Sequence, residues 1–139
     1  MITSAWTPLD PDVEAFVNEF DHLSSQPGAE ATPLFGATFL ALDPTGAVAL
    51  TPAILAGVLP ARRAAFDAAG VGAVHRTNAS QLRLDDHHLL VSADWTAERA
   101  DAVPLHLEST FLVRREADGH RILVYLNHHD VTAVLSAGA

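Results

Sequence analysis

The chain has 139 residues, no cysteine, eight arginines, no lysine and seventeen acids, for a formal charge of −9. One domain of this length buries a sizeable core, and the missing thiols exclude disulfides, thiolate metal sites and cysteine nucleophiles. The acidic balance works against phosphate backbones and anionic membranes, and no apolar run approaches the ~20 residues that span a bilayer.

Residues 1–14 lack the basic and then apolar regions of a secretory signal, so a cytoplasmic protein with no nucleic-acid and no membrane partner is expected. Asp10 to Ser24 reads as the first helix. Asp10 suits the N-cap, Pro11 the first helical position, and Asp12 and Glu14 the positive end of the helix dipole. Val13, Phe16, Phe20 and Leu23 recur at helical spacing and form one apolar stripe. Ser24 to Gly28 breaks the pattern, and Glu30 to Phe35 reads as a short second helix. Thr38–Leu42 and Ala47–Leu50 read as short strands around the turn Asp43-Pro44-Thr45-Gly46. Thr51 and Pro52 open a third helix as N-cap and first helical residue. It runs to Ala69, is kinked at Pro60 and stops at Gly70.

The remainder is β. Val71–Leu84 is a long, irregular strand region, Asp85-Asp86-His87 a turn, Leu89–Thr96 a strand and Glu98–Pro104 a polar loop. Leu105–Val131 closes the domain as a hairpin, and Ser136–Ala139 reads as a frayed end. Helices first and strands after argue for an α+β domain, an antiparallel sheet over helices, spanning 1–139 with no linker.

Asp-Gly between two β-type runs is a strong hairpin signal. With Asp118 and Gly119 as a two-residue loop, Val113 faces Val124, Phe111 faces Leu126 and Ser109 faces His128. These make the more apolar face, turned toward the helices. Leu112 then faces Tyr125, Thr110 faces Asn127 and Glu108 faces His129 on a mixed outer face suited to a partner subunit. A bulge would exchange the two faces beyond it. In the preceding strand Leu89, Val91, Ala93 and Trp95 share the inward parity.

The phrases FLALDPTG (Phe39–Gly46), AAFDAAG (Ala64–Gly70), LVSADW (Leu90–Trp95) and DGHRILVYLNH (Asp118–His128), in this element order, resemble the NTF2-like superfamily, particularly its SnoaL-like and DUF4440-type bacterial members. The resemblance covers roughly Asp10 to Leu135. It implies a cone, in which a strongly curved, mainly antiparallel sheet wraps three helices and opens into a hydrophobic pocket. It also implies a homodimer joined through the outer sheet face. Phe16, Phe20, Phe39, Trp95, Ser109, Phe111 and Leu126 are then the expected pocket residues. Glu108, Thr110, Leu112, Tyr125 and His129 are the expected interface.

The chemistry-bearing candidates are few. His128 on the inward face, near Asp130, is a candidate acid or base, since imidazole titrates near neutrality and a carboxylate can orient it. Asp21 at the end of the first helix is a second acid at the pocket mouth. His106 and Glu108 are the one strand pair with an imidazole and an acid on a shared face. No HxH or HExxH spacing occurs, and no metal or cofactor is expected. Two functions follow. One is a SnoaL-like isomerase, cyclase or dehydratase acting on a small organic molecule through His128. The other is a non-catalytic ligand-binding or dimeric assembly module, which the aliphatic Val124 and Leu126 favour.

Overall fold

The computed structural model describes residues 5–25 and 31–136. The expected break at residues 26–28, the helix start at Glu30 and the last three residues of the frayed end lie outside them. The element order is α1 (Pro11–Ser25), a 3-10 turn (Thr32–Leu34), β1 (Phe35–Asp43), β2 (Gly46–Leu50), α2 (Pro52–Ala68), β3 (Val71–Arg83), β4 (His88–Arg99), β5 (Leu105–Glu116), β6 (Gly119–Asn127) and α3 (Val131–Ser136). The strands form one six-stranded sheet in the order β2-β1-β6-β5-β4-β3. Every neighbouring pair is antiparallel except β1 and β6, which run parallel. The sheet is curved and unclosed, and the architecture is α+β as expected.

β4 shows how sequence makes the core. Its burial alternates strictly, with Leu89, Val91, Ala93, Trp95 and Ala97 inward. Strand side chains alternate faces, so this parity defines the inner face for the neighbours in register. On α1, Val13, Phe16, Val17 and Phe20 are buried against it. At the centre Phe111 is 1% exposed. It lies 5.3 Å from Phe20, 6.0 Å from Trp95 and 4.8 Å from Tyr125, centroid to centroid. Such offset pairs each add about 0.5–1.5 kcal/mol beyond area burial.

The two long helices are held differently. Asp10 Oδ2 accepts from Gln81 Nε2 at 3.0 Å, and Asp10 N donates to Gln81 Oε1 at 2.9 Å, so the start of α1 is tied to β3. α2 has the expected cap, Thr51 Oγ1 accepting from Ile54 N at 3.3 Å, and ends at Gly70, whose φ is +75°. None of its residues is fully buried. Leu55 packs on the edge of the core, while Ile54 and Val58 are about half exposed. α2 therefore lies over the sheet as a loose roof.

Three boundaries differ from expectation. The short second helix is a single 3-10 turn, and Phe35 already belongs to β1. β4 continues to Arg99, which shortens the polar loop. A short helix, α3, follows the last strand, with Asp130 Oδ1 accepting from Ala133 N at 3.2 Å as its cap.

The closing hairpin departs most. Its two-residue loop is Ala117-Asp118, and Gly119 opens β6 opposite Glu116. Gly119 has φ +133°, a conformation that glycine adopts without strain. The offset is two residues, so faces near the turn are unchanged and Val113 pairs with Ile122. The register then shifts once more, because Leu112 pairs with Val124 and Leu123 is the extra residue of a bulge. Beyond it Phe111 pairs with Tyr125 and Ser109 with Asn127. The bulge inverts the parity of all that follows. Tyr125 and Asn127 thus point inward, and Leu126 and His128 point outward, which corrects the expected faces.

Candidate functional site

An open cleft of about 620 Å³ lies between the β1–β2 hairpin, α2 and the end of β6. Pockets for organic ligands span roughly 300–1,000 Å³. Ala41 and Val48 are a cross-strand pair on its sheet wall, and Ala65 and Phe66 line it from α2. Tyr125 and Asn127 form its floor. The roof is open because α2 buries nothing fully. Arg62, with Cζ 5.5 Å from the Phe66 ring centroid, stands at the rim.

The floor groups are uncharged and polar. Ser109 Oγ donates to the Tyr125 hydroxyl at a long 3.4 Å. Asn127 is 8% exposed, and its Oδ1 accepts from His129 N at 3.1 Å. Its amide nitrogen has no partner among the described residues. Asp130 also lines the cleft, while one of its carboxylate oxygens caps α3. His129 Nε2 is buried without a hydrogen-bond partner.

A second polar cluster sits on the inner face between α1, β3 and β4. Asp21 Oδ1 accepts from Trp95 Nε1 at 3.0 Å, and Asp21 Oδ2 lies 3.3 Å from Arg76 Nε. Arg76 Nη2 donates to Asn18 Oδ1 at 2.6 Å. Burial pushes the Asp21 carboxyl above its ordinary range, opposed by the Trp95 hydrogen bond and the Arg76 charge. A protonated fraction therefore persists at higher pH than for a solvated aspartate.

The expected site residues sort clearly. Phe16, Phe20, Phe39, Trp95, Ser109 and Phe111 are buried, but as core beneath and beside the cleft rather than as its walls. Leu126 is a correction, since it faces outward opposite Thr110. His128 is a second, exposed on the outer face with Nε2 2.7 Å from Thr110 Oγ1. It therefore cannot act with Asp130 or Asp21 on a molecule in the cleft. Tyr125 is a third, inside rather than at the outer interface. The expected pairing of Glu108 with His129 is replaced by a backbone bond from His128 N to Glu108 O at 3.0 Å. Glu108, Thr110 and Leu112 do lie on the outer face. Asn127, Arg62 and Arg76 carry polar chemistry that the sequence did not single out.

The outer face has its own features. Leu40, Leu42, Val124, Leu126 and Leu112 form a contiguous apolar band across β1, β6 and β5. Further along β5 and the neighbouring β4, Asp94, His106 and Glu108 bring three ligand-type atoms within 4.8 Å of one another. No helix among the described residues is long and apolar enough to cross a membrane.

No protein-family model and no curated protein matches the chain. Solved structures do. An NTF-2 like protein of unknown function from Shewanella oneidensis superposes with a TM-score of 0.68 at 11% identity, covering 85% of this chain and 97% of that one. Aln2 from a Streptomyces species gives 0.65 at 18% identity, covering 92% and 98%. The beta subunit of the benzoate 1,2-dioxygenase from Burkholderia mallei gives 0.61 at 13% identity, covering 88% and 91%. The chain has the NTF2-like, cystatin-like fold, as the sequence resemblance implied.

Proposed function

We propose that the chain binds a small amphipathic organic molecule in the cleft between α2 and the sheet, without acid–base catalysis by His128. The observation that carries this reading is the inward turn of Tyr125 and Asn127. They set a hydroxyl and an amide at the floor of a space walled by small aliphatic residues and Phe66, with Asp43, Thr45, Arg62 and Asp130 also lining it. Pockets of this kind use apolar walls for affinity and a few polar groups for orientation. The Asn127 N–H donors suit a carbonyl or hydroxyl oxygen of the ligand.

The outer apolar band supports a second element of the reading, a homodimer through that face. Its residues are leucines and a valine with no charge among them, as in the cores of subunit interfaces.

The cleft reading is tested with 1-anilinonaphthalene-8-sulfonate as a probe. Ala65 is exposed on α2 and lines the cleft, so Ala65→Trp fills the space without entering the core. Saturable probe fluorescence in the native chain, weakened about tenfold or more by Ala65→Trp, is expected. Unchanged probe binding in that variant would falsify the cleft as the binding site.

A further inference from the structure

We infer that Asp94, His106 and Glu108 form a binding site for a zinc-class divalent transition-metal ion on the outer face of the sheet. The two strands that carry them are in unbroken register, with Asp94 directly opposite Glu108 and His106 opposite Thr96. Strand periodicity puts His106 and Glu108 on one face, and the register adds Asp94 to the same face. One donor atom from each lies within 4.8 Å of the other two, and His106 Nε2 is 3.1 Å from Glu108 Oε1.

The electrostatics point to a cation independently of this spacing. Like charges directly opposite across a strand pair destabilise a sheet. Asp94 and Glu108 are such a pair, and among the described residues no arginine contacts either carboxylate. His106 is the only cationic partner that Glu108 has there, and it is charged only when protonated. A divalent ion at this point would neutralise the repulsion and take neutral imidazole as a ligand.

The donor set selects the metal class. Calcium and magnesium favour all-oxygen shells. One imidazole with two carboxylates suits zinc and its first-row neighbours. Bond lengths of about 2.0–2.2 Å require the donors to close in by roughly an ångström. The His106 and Glu108 side chains are 56% and 48% exposed, so rotation about their side-chain bonds can supply that closure. Water would fill the remaining coordination position.

The test uses the full chain without a histidine tag, freed of metal by chelator, and zinc chloride titrated by calorimetry. One ion per chain is expected. His106→Ala and Asp94→Asn should each weaken binding at least tenfold. His87→Ala, at the β3–β4 turn, should leave it unchanged. In metal-free protein, Glu108→Gln should raise Tm by relieving the like-charge pair, a readout separate from binding. Absence of binding, or a stoichiometric site that survives His106→Ala, overturns the inference. Loss of the site in His87→Ala, with the His106 variant intact, does the same by moving it elsewhere.

Discussion

Replacing Arg76 with Met should destabilise the protein in a way that depends on pH. The guanidinium and the Asp21 carboxylate are 3.3 Å apart, with side-chain exposures of 17% and 28%. Breaking a fully buried pair costs about 3–5 kcal/mol, and an exposed one about 0.2–1 kcal/mol. This pair lies between, and Arg76 Nη1 is buried without a hydrogen-bond partner, so part of the arginine's removal is favourable. A loss of about 2 kcal/mol at pH 7 follows, of which about 1 kcal/mol is the hydrogen bond to Asn18. The Asp21 pKa is raised in the native state, so native protein holds this proton more tightly than unfolded chain. Its favourable contribution is full below the ordinary aspartate range and is lost as pH rises through the raised value. Removing Arg76 takes away one of the two influences that hold the value down, so the variant's penalty grows over the same window. Urea denaturation at pH 7 and at pH 3 measures it. The difference between variant and parent should shrink by about half at pH 3, where Asp21 is neutral in both states. An equal loss at the two pH values would refute the ion pair as its source.

Deleting Leu123 should leave a folded protein that still binds the naphthalene probe, because Ile122, Val124 and Tyr125 then alternate faces without a bulge. A chain without the bulge would have its buried Asn127 turned outward by the same deletion, so an unfolded variant by circular dichroism counts against the register. Asp85→Asn should lower Tm at pH 7. The Asp85 carboxylate accepts from His87 N and His88 N at 2.8 and 2.7 Å, and the His87 bond leads in holding its pKa down to about 2. That contribution is present above the ordinary aspartate range and is lost as pH falls through about 2, so thermal melts of the two proteins should converge there. Leu112→Glu should convert the proposed dimer to monomer in sedimentation velocity, and a parent already monomeric at micromolar concentration would remove the interface.

Much of the fold was legible because it is written in local periodicity. The alternation of Leu89, Val91, Ala93 and Trp95 assigned the inner face of β4 correctly, and Thr51-Pro52 and Gly70 marked both ends of α2. For α3 the one local signal was Asp130 as a cap, since Val131, Thr132 and Val134 are β-branched and extend the strand reading of His128-His129-Asp130. The site was legible only in part. Asp21 and Trp95 were each singled out, but their hydrogen bond joins residues 74 apart, which no local pattern encodes. Asp-Gly commonly fills a two-residue turn, so local pattern alone makes Gly119 a loop residue. The chain instead uses its positive φ at the first position of β6. The bulge at Leu123 had no local signal. It sits where β6 also pairs with β1, whose own register slips between Phe35 and Leu40, so two strands far apart in sequence settle it together.

That single extra residue decides which chemistry the inner space can offer. Without it, an imidazole and a leucine would face the helices, and the cleft would hold a group able to take up a proton near neutrality. With it, the cleft floor is a phenol and an amide, and His128 stands outside against Thr110. Two acids near the interior are tied to structure. Asp21 is held by Trp95 and Arg76, and Asp130 caps α3. A group already committed to a donor must give up that bond before it can take a proton from a ligand, which raises the cost of using it as a base. Groups that orient a molecule face no such cost. The physical content of the bulge is therefore a bias from proton transfer toward recognition, set by backbone register rather than by the identity of any one side chain.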